Sequence, residues 1–369
     1  MFFGAYNEKS SIAKVMQDEI DLHPEPSLTS KRRLLVYFIT GNPGLIEYYR
    51  VFLTQLYDIL RVQDPKLDLH IYGSSLAGFE ISNDPPRPIA AHNGPPYGLD
   101  EQIEISAMRL LDTVKQINDT AGPDAEPFPV VLIGHSVGAY MLLEIIARWQ
   151  SMANIAESKT AMNIAGGICL FPTVVDIAKS PTGQRMAPLL RIPGFSLLIH
   201  LIAKLLFSCM PIFLMIRLVQ IITFMPYNAA KTTAAFIQSK HGVRQALFMA
   251  HHEMVQMSHD KWSDDLWGVR PLQEAASTAM GKSVVKPAAR LRLYFYWGRD
   301  DHWIECATRN KLIRTRGRTR LGRRGSVGEE NKPLMEIDRN GVPHGFCIRH
   351  SEVIAEKVAE YVTEIANGL

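Results

Sequence analysis

Gly134-His135-Ser136-Val137-Gly138 sets a serine between two glycines, directly after the apolar run Pro129-Val130-Val131-Leu132-Ile133 and directly before Ala139-Tyr140-Met141-Leu142-Leu143. Gly-x-Ser-x-Gly alone is common by chance. Strand, sharp turn and helix form the setting in which such a serine becomes a nucleophile. The turn holds the serine in an unfavourable backbone conformation that lifts its hydroxyl clear of the sheet. Glycines flank it because side chains there would collide with the neighbouring strand and helix. The helix N-terminus beneath it favours a developing negative charge.

A serine hydroxyl needs a base to take its proton, and in this setting the chain order is Ser, acid, His. His344, in Gly341-Val342-Pro343-His344-Gly345-Phe346, lies between a late strand and the final helix. Its rival His350 falls at or inside that helix, so His344 is the expected base, with a structural loop histidine as the minority reading. For the acid, Tyr294-Phe295-Tyr296-Trp297-Gly298-Arg299-Asp300-Asp301 favours Asp301 over Asp300, and Asp176, after the strand ending at Phe171, is a third candidate. The acid would hold the imidazole in one tautomer and stabilise it once protonated. Oxyanion donors are expected from the backbone N–H of Val137 and, because Pro43 has none, of Asn42 in Gly41-Asn42-Pro43-Gly44. That segment also reads as a plain tight turn.

These residues must be positioned by elements that the sequence also announces. After a mixed, helix-prone lead-in over 1–30, buried strands are predicted at Leu34–Ile39, Leu67–Tyr72, Pro129–Ile133, Ile164–Phe171, Leu291–Trp297 and Pro333–Ile337. Their continuous apolar runs suit strands covered on both faces. Helical spacing occupies Leu45–Leu60, 99–118, Val137–Gln150 and Ile348–Ile365, whereas the Pro-, Asn- and Gly-rich 82–96 reads as a loop. Strands alternating with helices predict an α/β chain, a mostly parallel sheet flanked by helices. It divides into a core over 31–177 and 291–369 and a long helical insertion over 178–290.

Gly41-Asn42-Pro43-Gly44 followed by Ile46-Glu47-Tyr48-Tyr49 and Phe52, together with Gly134-His135-Ser136-Val137-Gly138-Ala139-Tyr140, Tyr296-Trp297-Gly298, Asp301, Trp303 and Pro343-His344, resembles the lipid droplet-associated hydrolases, a branch of the α/β-hydrolases. The resemblance covers 31–175 and 290–369 and, more loosely, the insertion. It implies the α/β-hydrolase fold with an apolar helical cap and a triad of Ser136, Asp301 and His344. It also implies residence on lipid droplets and the cytosolic face of the endoplasmic reticulum, and hydrolysis of sterol esters or other neutral lipids. The basic segment 309–330 departs from the family pattern and bears on the shape of the site mouth.

Within the insertion, residues 195–225 are the most apolar stretch. Phe195–Cys209 carries polar residues only at Ser196, His200, Lys204 and Ser208, and Ile212–Met225 at Arg217, Gln220 and Thr223, each set forming one narrow stripe. At 1.5 Å per residue each arm is roughly 21 Å long, short of a bilayer core of about 30 Å. Two such arms about Pro211 suit a hairpin lying in a lipid monolayer, with Lys204 and Arg217 extending to the headgroups. A buried lid over the site is the soluble alternative. Arg314, Arg316, Arg318, Arg320, Arg323 and Arg324 crowd a Gly-rich stretch, expected as a solvated loop or as a patch for anionic headgroups.

The 369 residues are 47% hydrophobic and 21% charged, a globular composition. A net charge of +3 is too small to point to nucleic acid as the main partner, and none is expected. Cys169, Cys209, Cys306 and Cys347 show no CxxC spacing, which argues against a disulfide framework or zinc site. No motif calls for a metal or organic cofactor. Residues 1–26 lack the apolar centre of a secretory signal. Three functions fit: a neutral-lipid esterase at a droplet surface, a droplet-associated protein with little turnover, and a soluble esterase or thioesterase whose insertion is only a lid.

Overall fold

The computed structural model describes residues 17–24, 32–82, 94–121, 128–155, 162–268, 291–320 and 331–369. Most of the 1–30 lead-in, most of the 82–96 loop, the end of the insertion beyond 268, and Arg323 and Arg324 lie outside the described residues.

Among the described residues, seven strands form one sheet: β1 (Glu19–Leu22), β2 (Arg32–Ile39), β3 (Leu67–Ser74), β4 (Pro129–His135), β5 (Asn163–Leu170), β6 (Arg292–Trp297) and β7 (Leu334–Ile337). Their order is β1-β3-β2-β4-β5-β6-β7. All pairings are parallel except β1 against β3. The edge strand β1 corrects the helix-prone reading of the lead-in. Its tetrapeptide Glu-Ile-Asp-Leu alternates polar and apolar, the pattern of a half-covered antiparallel edge.

The central strands are buried on both faces, and their alternation assigns the faces. Leu35, Tyr37 and Ile39 of β2 join Val130 and Leu132 of β4 in one core. Leu34, Val36 and Phe38 join Val131 and Ile133 in the other. Helices α2 (Leu99–Ala121) and α3 (Val137–Ile155) cover the first face. Helix α1 (Arg50–Gln63), preceded by a 3-10 turn over Ile46–Tyr49, and the last helix cover the second. Each fully buried Leu, Ile or Phe is worth about 1.5–3 kcal/mol, so a one-residue slip of any central strand is strongly disfavoured.

Between β5 and β6 the chain builds α4 (Pro181–Leu190), α5 (Phe195–Phe207), α6 (Ile212–Thr223), α7 (Tyr227–Gln238) and α8 (Gly242–Gln256). Ser180 caps α4 by accepting the Gly183 N–H, with Pro181 at the first helical position. Helices α4 and α8 reach the main core through Ala187, Leu190, Met249 and Met254. Helix α6 packs Met215, Ile216 and Val219 on Ala230 and Ala234 of α7, forming a separate small cluster. Helix α5 buries no residue fully. Three members of its polar stripe, Ser196, His200 and Lys204, are half-buried while Ser208 is exposed: the Lys204 ammonium donates to the Gln238 carbonyl at 2.7 Å, and the Gln238 amide donates to the carbonyls of Phe207 and Met210. This overturns the expectation that Lys204 extends outward. Leu198, Leu201, Leu205 and Leu206 face outward instead, Leu205 at 86% exposure. Among the described residues, no single helix is long and apolar enough to cross a membrane.

The rest of the core comprises α9 (Cys306–Arg316), β7 and α10 (Ser351–Ala366). Much of the basic run is not a solvated loop. Arg309 is buried and donates to the carbonyls of Gly298 and Arg299. Arg316 pairs with Asp260 and Asp264, and Arg320 with Glu336 and Glu364. The acids that neutralise these arginines come from distant segments, so a local reading of charge could not find them. All four cysteines are unpaired.

Candidate active site

Ser136 follows β4 immediately and carries φ of 56°, a left-handed conformation that L-residues rarely hold. Neighbouring backbone sustains it: the Ser136 N–H donates to Leu170 O, and its carbonyl accepts from Ala139 N–H. The flanking glycines are sterically required. A Cβ on Gly134 would sit 2.3 Å from Gly138 O, and one on Gly138 would sit 2.4 Å from Ile39 O and 2.5 Å from Thr40 O. The hydroxyl thus stands at the carboxyl end of the sheet, beside the N-terminus of α3.

Two loops bring the other groups to it. The loop after β7 places His344 with Nε2 at 2.9 Å from Ser136 Oγ and Nδ1 at 2.6 Å from Asp301 Oδ2, while the turn after β6 supplies Asp301. Burial pushes the Asp301 carboxyl up, but its hydrogen bond to His344 and the histidine's charge outweigh that and hold it below its ordinary value. An ionised Asp301 accepts the Nδ1 proton, which leaves Nε2 free to accept from the serine hydroxyl. The other Asp301 oxygen accepts the Trp303 N–H at 2.9 Å.

The other candidates take no part in this chain of hydrogen bonds. Asp300 is exposed. Asp176 accepts from the Thr308 hydroxyl and pairs with Lys179. His350 precedes α10 as its N-cap residue.

Val137 opens α3 next to Ser136, and the Gly41-Asn42 backbone lies alongside: a Cβ on Gly41 would be 3.1 Å from Ser136 Cβ. Among the described residues, neither the Val137 nor the Asn42 N–H has a hydrogen-bond partner. The Asn42 side-chain amide donates to Ala246 O at 3.0 Å and to Glu253 Oε1 at 2.8 Å, both on α8. Burial raises Glu253 to about 7, against an ordinary 4.5.

Four residues at the site escaped the sequence reading: Tyr49, His135, Thr173 and Glu253. His135 Nε2 lies 2.9 Å from the carbonyl of His344, which can only accept, so Nε2 carries the proton. Nδ1 then accepts from the Tyr49 hydroxyl at 2.7 Å, and that oxygen accepts the Gly41 N–H at 3.2 Å. Burial, reinforced by His344, drives His135 down to about 3 and keeps the brace neutral. Thr173 Oγ1 lies 3.5 Å from Ser136 Oγ. The Tyr-Tyr pair and the histidine inside the elbow were visible signals for Tyr49 and His135. No local pattern marks Thr173 or Glu253.

A family model for the lipid-droplet associated hydrolases matches residues 32–347. Over 341 residues the chain is 25% identical to the lipid droplet-associated hydrolase of Mus musculus, covering 90% of this chain and 86% of that one. It is 24% identical over 349 residues to the Drosophila melanogaster protein of that name, covering 92% of each. Among solved structures, the peroxisomal alpha-beta-hydrolase Lpx1 of Saccharomyces cerevisiae superimposes with a TM-score of 0.52 at 12% identity, over 92% of this chain and 78% of that one. That likeness concerns the fold, an α/β-hydrolase.

Proposed function

The chain belongs to the lipid-droplet associated hydrolase family, and we propose that it is a serine ester hydrolase cleaving neutral lipid esters, sterol esters or acylglycerols, at a lipid-droplet surface. The observation that carries this reading is the continuous hydroxyl–imidazole–carboxylate chain, Ser136 to His344 at 2.9 Å and His344 to Asp301 at 2.6 Å.

In the proposed reaction, Ser136 Oγ attacks the ester carbonyl carbon while His344 Nε2 takes its proton. The carbonyl oxygen becomes an oxyanion that accepts from the unpartnered N–H groups of Val137 and Asn42. His344 returns the proton to the leaving alkoxide, the alcohol departs, and an acyl-serine remains. Water repeats the sequence, releasing the fatty acid and restoring the serine. Throughout, Asp301 keeps the Nδ1 proton in place and offsets the transient imidazolium charge.

The surface part of the reading rests on α5 and α6. Phe213, Ile221, Ile222 and Phe224 join the α5 leucines as exposed apolar side chains, an extent that soluble monomers seldom leave to water. This face fits a droplet monolayer and equally the cytosolic leaflet of the endoplasmic reticulum, since both present acyl chains beneath headgroups.

A fluorophosphonate probe should label the purified chain and fail on Ser136→Ala. Cholesteryl oleate and triolein dispersed as droplets should be hydrolysed by the former alone. Equal labelling of both forms would remove the catalytic reading. A labelled protein that turns over neither ester would remove the substrate class.

A further inference from the structure

Between Asp176 and Glu253 the sequence holds eight Lys and Arg and no Asp or Glu. The whole chain carries +3, so the remainder carries −5. This uninterrupted positive stretch runs from α4 to the last turn of α8, where the one acid, Glu253, is buried, and it is the segment that also leaves its apolar side chains uncovered. Insertions that merely cover a site have no need to exclude every acid over 76 residues. A surface that must approach fixed negative charge does.

The structure sorts six of the eight cations by what they can reach. Lys204 turns inward to Gln238, and Lys179 is neutralised by Asp176. Arg185, Arg191, Arg217 and Lys240 are exposed and have no ion-pair partner among the described residues. Their placement relative to the apolar face is regular. Arg217 stands four residues after Phe213 and four before Ile221, so all three share one face of α6, with Phe213 63% and Ile221 71% exposed. Arg191 lies between exposed Leu189 and Ile192 at the end of α4, and Arg185 lies one turn before Leu189 on the same helix face. Lys240 follows the α7 terminus that Lys204 ties to α5. The uncompensated field also registers on the histidines. After burial, the charges of Lys204 and Arg244 lower His200, and Lys240, His200 and Arg244 lower His241.

We infer that the α4–α8 face docks on a lipid surface bearing anionic phospholipid headgroups, with the α5 and α6 side chains among the acyl chains and Arg185, Arg191, Arg217 and Lys240 on the headgroup phosphates and carboxylates. The inference deepens the droplet reading above and rests on it. A guanidinium in mid-face, as Arg217 is, matches a phosphate in geometry while its stem stays among apolar neighbours. A second copy of the chain is the poorer occupant. A two-fold contact would bring the same face against itself, and a face with no acid would meet only like charge.

The test is flotation of the full chain with triolein droplets coated either with dioleoylphosphatidylcholine or with the same lipid containing one-third phosphatidylserine. Each cation near such a surface contributes about a five-fold gain in partitioning, so full engagement of only two of the four already predicts more than a ten-fold preference for the anionic coat. About 1 M salt, where the screening length is near 3 Å, should abolish that preference. The variant Arg185→Gln/Arg191→Gln/Arg217→Gln/Lys240→Gln should lose the preference, keep its binding to the neutral coat, and hydrolyse a soluble short-chain ester at the wild-type rate. Equal wild-type binding to both coats overturns the anionic inference and leaves droplet docking standing. Binding to neither coat, or self-association in place of binding, overturns both.

Discussion

Removal of one oxygen atom, Tyr49→Phe, tests whether the site is held by the brace through His135. The Tyr49 ring is 3% exposed and stays in place among Phe38, Phe346 and His135, so the substitution leaves no cavity to speak of. It removes the acceptor of the Gly41 N–H and the donor to His135 Nδ1. Two buried polar groups are then unpaired, at about 1–3 kcal/mol each. Part of that is returned because the phenol hydroxyl no longer has to leave water on folding. A net loss of about 2–4 kcal/mol is expected, read as a melting midpoint lower by several degrees.

The catalytic effect is larger than stability alone would give, because the two freed groups flank Ser136, Gly41 in the loop after β2 and His135 at the end of β4. Gly41 precedes the proposed oxyanion donor Asn42, and His135, with Nδ1 unpaired, is less firmly oriented to donate from Nε2 to the carbonyl of His344. Loss of a whole oxyanion donor costs about 10²–10³ in kcat, which sets the ceiling. Misplacement without loss should cost roughly ten- to a hundred-fold, in line with the sensitivity of such reactions to displacements near 1 Å. KM for a soluble ester should stay within about two-fold, since no substrate contact is removed. Tyr48→Phe is the control: its hydroxyl bonds Thr233 on α7, away from Gly41. The assay is steady-state turnover of a short-chain ester together with the second-order rate of fluorophosphonate labelling, both corrected for folded fraction. If Tyr49→Phe labels and turns over at the wild-type rate, the brace is ornamental and the argument from hydrogen-bond direction is wrong.

Asp301→Asn should leave the fold intact but present an amide donor to Nδ1, forcing the proton to Nε2 and lowering kcat by about 10³–10⁴. Asp300→Asn, at an exposed position, should match wild type in the same turnover assay. Glu253→Gln keeps an acceptor for Asn42 but cannot ionise. Because burial raises the folded-state value of Glu253 to about 7 from 4.5, the folded chain holds this proton more tightly than the unfolded one. Wild-type stability is therefore full below the unfolded value and declines by up to about 3 kcal/mol as pH rises through that window. Glu253→Gln should lack this component of the decline in denaturant melts at stepped pH. Gly138→Ala should label poorly and melt early, since its methyl would overlap the carbonyls of Ile39 and Thr40 at a typical cost of about 1–3 kcal/mol or more.

What the sequence made legible was whatever depends on neighbours a few residues away. The elbow is such a case, because strand, turn and helix are contiguous and glycine spacing reports a steric demand made by the same segment. The central strands are another, since burial on both faces demands continuous apolar runs. Helix α1 begins later than its apolar spacing suggested, because Ile46–Tyr49 forms a tighter turn whose side chains keep similar spacing. Asp300 and Asp301 are one residue apart, and only the turn after β6 decides which carboxylate faces His344. The brace was hidden for a stronger reason. Tyr49, His135 and His344 are separated by 86 and 209 residues, and nothing in one segment constrains the others. Glu253 reaches Asn42 across 211 residues and was equally invisible.

Helix α5 shows a different limit. Periodicity measures the contrast between two faces of a helix but does not say which face meets the protein. Ser196, His200, Lys204 and Ser208 define a polar stripe, and a polar stripe on an apolar helix ordinarily faces water. Here Ser196, His200 and Lys204 are half-buried against the insertion while Ser208 stays exposed, because helix ends need partners there. The Gln238 carbonyl at the end of α7 lies among the last four of that helix, which have no acceptor role inside it. Lys204 supplies the missing donor, and a cation at that terminus is favoured by the helix dipole as well. Gln238 in turn satisfies the carbonyls of Phe207 and Met210, at and just beyond the end of α5. Two helix ends thus satisfy each other through the very residues that would otherwise have turned outward, and the leucines take the outer face by exclusion. An arrangement that spends its polar side chains internally and leaves Leu205 almost wholly uncovered is costly in water and favourable against acyl chains.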